Sequence, residues 1–134
     1  MLLSLLSKEE KCYFVDLVIQ LCSVDGAASD TELSIIKKFK YEMADDLAKY
    51  KKSNLSRDKL IAYFVSKPKT VRHLIYLNLV SASLNDVWYS VEEHLFLDEV
   101  QNAFQISEKK KVELMKLVYS ERDLREKVKR VISE

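Results

Sequence analysis

Apolar residues recur at steps of three and four along most of this 134-residue chain, the period of an amphipathic α-helix. The first such segment spans about Lys8 to Ser23. Ser7 and Glu10 have the Ser-x-x-Glu spacing of a capping box at its start. Phe14, Val15, Leu17, Val18, Ile19 and Leu21 cover nearly its whole circumference, as expected of a central helix. After a loop at Asp25-Gly26-Ala27-Ala28, Ser29 and Glu32 repeat the box. The helix behind them carries Leu33, Ile36, Phe39, Met43 and Leu47 on one stripe and Lys37, Lys38, Glu42 and Asp45 outside it. The polar stretch 49–54 reads as a loop. Ser56 then caps a short helix with Leu60, Ile61, Phe64 and Val65 inward, and Pro68 suits the first turn of the next.

That next helix runs to about Leu84 and is again apolar almost all round, through Val71, Leu74, Ile75, Leu77, Leu79 and Val80, so it is the second central helix. Loop 85–89 follows. Ser90 and Glu93 form a third box before a helix to about Phe104, whose inward set reads Val91, Leu95, Val100 and Phe104. Ser107 caps a helix using Val112, Met115 and Val118, and a C-terminal helix over 121–132 shows Leu124, Val128, Val131 and Ile132 on one face. The pattern predicts an all-α domain over 1–134, with about seven helices in a compact bundle and no strand.

Composition agrees. Hydrophobic residues make up 48% and charged residues 32%, a globular balance, and one Gly and one Pro are too few for a turn-rich β fold. A formal net charge of +1 argues against a general nucleic-acid binder. No apolar run reaches the roughly 18–20 residues of a membrane span. The apolar opening, Met1-Leu2-Leu3-Ser4-Leu5-Leu6, lacks the basic flank and cleavage site of a signal peptide. The expectation is a cytoplasmic protein, with a peripheral membrane contact through this tip left open. Cys12 and Cys22, ten residues apart on one helix, lie about 15 Å apart, too far for a disulfide, and read as two small buried thiols.

The chain carries a weak internal duplication. An offset of 61 takes Asp25 to Asp86, Ser29 to Ser90 and Glu32 to Glu93, and the apolar flanks follow: Val18 to Leu79, Ile35 to Phe96, Ile36 to Leu97, Phe39 to Val100. The halves are roughly 8–50 and 69–118. Asp25-Gly26, followed by Ser29 and Glu32 at the end of an apolar helix, resembles the tellurite-resistance TerB-like family, with its twice-used Asp-Gly-x5-Glu signature in an all-helical domain. The resemblance covers roughly 8–118. The second copy departs from it: Val87 replaces the glycine, and Trp88-Tyr89 fill the loop. The resemblance implies a role in a stress or tellurite/metal-resistance system, with acidic residues that bind metal, and it implies no enzyme.

Asp25, Glu32, Asp86 and Glu93 are therefore the candidate metal ligands. Their plainer reading is structural, because a Glu at the third helical position closes a capping box and favours the helix dipole. Their functional reading is a site for Ca²⁺ or Mg²⁺, which take carboxylate oxygens. From Asn85 to Ile106 there are five acidic residues and no Lys or Arg. This stretch could draw a cation or a basic partner, or be a solvated helix face. Trp88 and Tyr89 either fold back over the core or, with Glu92, Asp98 and Glu99, form a partner-binding surface. His73 and His94 read as partly buried structural residues, and no Cys/His cluster has zinc spacing. The segment from Ser107 to Glu134 holds nine Lys/Arg and six Asp/Glu, including Lys109-Lys110-Lys111 and Lys127, Lys129 and Arg130. That is a solvated face or a phosphate contact.

Three functions follow. The first is a non-catalytic TerB-like binding or scaffolding module, cation-regulated or not. The second is a protein-interaction adaptor without metal dependence. The third is a weak nucleic-acid-binding domain using the basic C-terminal face. The sequence holds no nucleophile elbow, phosphate-cradling glycine loop or metalloprotease His pair.

Overall fold

The computed structural model describes residues 1–24, 26, 30–43, 50–84 and 90–134, without the side chains of Thr31 and Glu32. Among the described residues the 3₁₀ turn Leu3–Leu5 precedes six helices: α1 Lys8–Cys22, α2 Asp30–Glu42, α3 Arg57–Val65, α4 Lys69–Leu84, α5 Val91–Ala103 and α6 Glu108–Ser133. No strand occurs among the described residues.

Four helix starts are fixed by serines. The Oγ atoms of Ser7, Ser56, Ser90 and Ser107 accept the backbone N–H of Glu10 (3.2 Å), Lys59 (3.3 Å), Glu93 (3.1 Å) and Lys110 (3.1 Å). At α1 the box is complete, because the Ser7 amide donates to Glu10 Oε1 at 2.7 Å. Each cap is worth about 1 kcal/mol.

The two helices read as central are central. α1 packs on α2, α3, α4 and α5, and α4 packs on α1, α3, α5 and α6. Phe14, Leu17, Leu21, Ile75 and Leu79 are fully enclosed between them and their neighbours. Edge-on aromatic pairs tie in the outer helices: Phe14 meets Phe39 of α2 at 5.3 Å between centroids, and Phe64 of α3 meets Phe104 at 6.5 Å.

Two buried polar side chains anchor irregular segments. Asn78 on α4 donates from Nδ2 to the carbonyls of Leu74 (2.9 Å) and Met1 (3.0 Å), and its Oδ1 accepts from the Met1 amine at 2.7 Å. The apolar opening is thereby half absorbed: Leu3 and Leu6 are buried, and Leu2 and Leu5 stay exposed. Asp16 on α1, 2% exposed, accepts from the Tyr50 hydroxyl and from the Ser53 amide (3.3 Å) and hydroxyl (2.6 Å). Gln20 adds a bond to the Leu55 carbonyl at 3.1 Å, so α1 holds the whole of 50–55.

The structure corrects several details of the pattern. The seventh helix does not exist separately, since 108–133 is one continuous helix with no break at Glu121. Leu33, Val65, Val91, Leu95 and Val112, read as inward, are exposed, and Ile35, Glu93, Phe96, Leu97 and Leu114 occupy the buried positions. In α5 Val100 and Phe104 are buried as expected, but Val91 and Leu95 are out of step with them, and Phe96 and Leu97, at steps of three and four from Val100, take the inward positions. Leu124, Val128, Val131 and Ile132 do share a side of α6, but it faces solvent. Leu47 lies outside the described residues. No helix of the described residues is long and apolar enough to cross a membrane.

Candidate functional site

α5 carries the best-described part of the acidic motif. Ser90 places Glu93 one turn inside the helix, where its side chain is buried at 3% exposure. Its Oε1 accepts from the Ser90 hydroxyl at 3.3 Å, while its amide donates to the same oxygen. This is the chemistry of a helix start. Glu92 faces solvent. Asp98 and Glu99 are each engaged by a neighbouring helix: Glu99 accepts from Arg57 of α3 at 3.1 Å, and Asp98 lies 3.9 Å from Lys111 of α6 and 3.3 Å from His94 Nε2. Arg57 also lies over the Phe96 ring, 4.4 Å from its centroid, so its charge is shared between an anion and a π-face. The five negative charges read along this stretch are thus partly compensated across helices.

Asp25, Asp86, Trp88 and Tyr89 lie outside the described residues, as does the Glu32 side chain. Among the described residues no group of three or more His, Cys, Asp or Glu could hold a metal ion. His94, read as partly buried, is exposed on α5; its partner at the 61-residue offset, Leu33, is exposed too. His73 is half-buried, and its pKa is lowered first by burial and then by Lys110, Lys69 and Arg72, which favours a neutral imidazole. Cys12 is half-buried and Cys22 buried, with no disulfide.

A further feature lies on α6. Only Leu114 and Val118 of this helix are buried. Beyond them it turns Glu121, Arg122, Arg125, Glu126 and Lys129 toward a groove of about 650 Å³, whose other wall is Ile35, Lys38, Phe39 and Glu42 of α2. Arg125 pairs with Glu121 at 3.3 Å and Lys129 with Glu126 at 3.2 Å, so the wall is held by contacts along the helix. The aliphatic residues Leu117, Leu124, Val128 and Val131, at steps of seven, four and three, point away from the groove and are exposed, Leu124 at 62%. The heptad step was the available signal: it continues through Glu121 with no Gly or Pro to interrupt it. Five of the nine basic residues of this segment lie within 4.0 Å of a carboxylate: Lys110, Lys111, Arg122, Arg125 and Lys129.

No protein-family model matches this chain, and no curated protein or solved structure matches it either.

Proposed function

We propose that this chain is a non-catalytic, TerB-like binding and scaffolding module in a stress or metal-resistance system, and that it grips a protein partner through the exposed face of α6. The single observation that carries this reading is the aliphatic stripe Leu117, Leu124, Val128 and Val131 turned to solvent on a helix whose charged side faces its own body. An amphipathic helix normally buries such a stripe. Exposed here, it is the ready half of a helix–helix contact, read in steps of three and four by a partner's apolar face.

The compensation of Asp98 and Glu99 by Lys111 and Arg57 favours a hydrophobic contact over an acidic one. The pairing of Arg125 with Glu121 and of Lys129 with Glu126 likewise reduces the charge that side of α6 offers to a phosphate. Support for the TerB-like reading comes from the duplicated positions: Val18 and Leu79, Ile35 and Phe96, Ile36 and Leu97, and Phe39 and Val100 are all buried, and α1 packs on α2 as α4 packs on α5.

The test places a photo-crosslinking residue at Leu124 or, on the charged side, at Glu126 of the full chain in its native host. A discrete protein adduct from position 124 but not from 126, lost with Val128→Asp, is expected. Equal labelling from both positions refutes the contact. Thermal unfolding with Ca²⁺ or Mg²⁺ runs alongside. A rise in melting temperature that Asp25→Asn with Asp86→Asn removes would move the function to the cation.

A further inference from the structure

Between α4, α5 and α6 lies a partly enclosed cavity of about 190 Å³. Its inner wall is aliphatic and aromatic, with Tyr76, Val80 and Leu97 buried and Met115 half-buried. Its ionic lining is His94, Asp98 and Lys111, and the lining tyrosines Tyr76 and Tyr119 carry hydroxyls of their own. Asp98, with its side chain 39% exposed, and His94, at 52%, face solvent together with Tyr119, and Lys111 sits deeper at 21%. The shape is therefore a mainly apolar pocket with a charged mouth, the usual design of a small-molecule site.

Size and charge narrow the occupant. A cavity of about 150 Å³ accepts one benzene ring, so this one holds a single ring and a short substituent. At the mouth the Lys111 ammonium and the Asp98 carboxylate cancel in charge, so neither an anionic nor a cationic headgroup gains from entering. Lys111 Nζ lies 3.9 Å from Asp98 and 4.0 Å from Glu108, beyond hydrogen-bond range. Its N–H groups are not engaged by those two carboxylates. Asp98 Oδ1 has that same long contact, and Oδ2 is the oxygen facing His94. One group able both to accept from Lys111 and to donate to Asp98 Oδ1 would bridge them, and among ring substituents a hydroxyl is the smallest that does both.

We infer that this cavity is a binding site for a small uncharged ring-bearing alcohol or phenol, its ring against Leu97 and Met115 and its hydroxyl between Lys111 and Asp98. The site is separate from the α6 stripe, and either can stand without the other.

The probe is phenol, with toluene, benzoate and benzylamine as controls, titrated into the full chain with methyl resonances followed by NMR. Phenol saturates the methyl shifts of Met115, Leu97 and Val80 at about millimolar concentration, as expected for so few atoms, and gives intermolecular NOEs to the Met115 and Leu97 methyls. The three controls bind at least tenfold more weakly. Met115→Trp, which fills the cavity from its half-buried side, abolishes saturation, and Asp98→Ala brings phenol down to the affinity of toluene. Non-saturating shifts, NOEs to other methyls, or controls binding as well as phenol would overturn the assignment. The NOE measurement on the unmodified chain decides the question even if Met115→Trp does not fold.

Discussion

Asp16 offers a sharp test of how this fold is held together. Replacing it with Ala removes an acceptor that three donors of one irregular segment share: the Tyr50 hydroxyl, the Ser53 amide and the Ser53 hydroxyl. Hydrogen bonds to a charged group contribute about 1.5–3 kcal/mol each. The three would sum to more than is lost, for two reasons. Tyr50 and Ser53 are only half-buried, so water can re-satisfy them, and the mutation also relieves the cost of keeping a carboxylate out of water. The net expectation is a loss of about 2–4 kcal/mol. Tyr50→Phe removes one donor and costs about 1–2 kcal/mol.

The decisive quantity is the coupling. With Asp16 absent, the Tyr50 hydroxyl has nothing left to hold in this network, so Asp16→Ala with Tyr50→Phe is expected to be no worse than Asp16→Ala alone, within about 0.5 kcal/mol. Urea unfolding followed by circular dichroism gives all four corners of the cycle. Hydrogen exchange at 50–55 reports whether the segment is released locally. Strict additivity, or a cost under about 1 kcal/mol for Asp16→Ala, would show that burial of Tyr50 and Leu55 places the segment and the carboxylate does not.

Further outcomes follow from other positions. The same network sets an alkaline limit: burial, then the bond to Asp16, raises the Tyr50 pKa above its ordinary 10.0. Its contribution is therefore complete below about pH 10 and declines above it as the unfolded chain ionises; urea midpoints at pH 8.5 and 10.5 should show a drop that Tyr50→Phe removes. His73 works in the opposite direction. Its folded pKa lies below 6.5, so its stabilising share is present above about pH 6.5 and is lost as pH falls below it; His73→Gln should flatten the decline between pH 7 and 5. Gln105 turns the chain out of α5 with φ 57, a left-handed conformation that costs a non-glycine residue roughly 1 kcal/mol; Gln105→Gly should raise the melting temperature by about 4 °C. Phe64→Ala, which empties a fully enclosed site between α3 and α5, should cost about 3–5 kcal/mol.

The sequence made helix existence, order and caps legible because these depend on local chemistry. Ser7, Ser56, Ser90 and Ser107 act where the spacing placed them. Which side of each helix faces inward was less legible. Val91 and Leu95 are four apart, but Leu95 to Val100 is a step of five, whereas Phe96, Leu97, Val100 and Phe104 keep steps of three and four and are the buried set. The break expected at Glu121 does not occur: no Gly or Pro stands near it, and Glu121 pairs with Arg125 within the helix. Compensation of the acidic stretch was not readable at all, since Arg57 and Lys111 reach it from other helices. The Asp16 network likewise spans 34 to 37 positions in the chain, beyond the reach of any local pattern.

The continuity of α6 has a thermodynamic side. Its 26 residues extend about 39 Å, but tertiary burial ends at Val118. The turns after it depend on ion pairs along the helix, Glu121 with Arg125 and Glu126 with Lys129, worth about 0.3–0.5 kcal/mol each. A segment of that length would be only marginally helical on its own in water. Salt, temperature and any substitution that changes intrinsic helicity over 120–133 then act as a dial on how much of the aliphatic stripe is presented at once. A partner that docks there must supply the free energy of completing the helix, so its affinity would rise and fall with the helical propensity of residues it never touches.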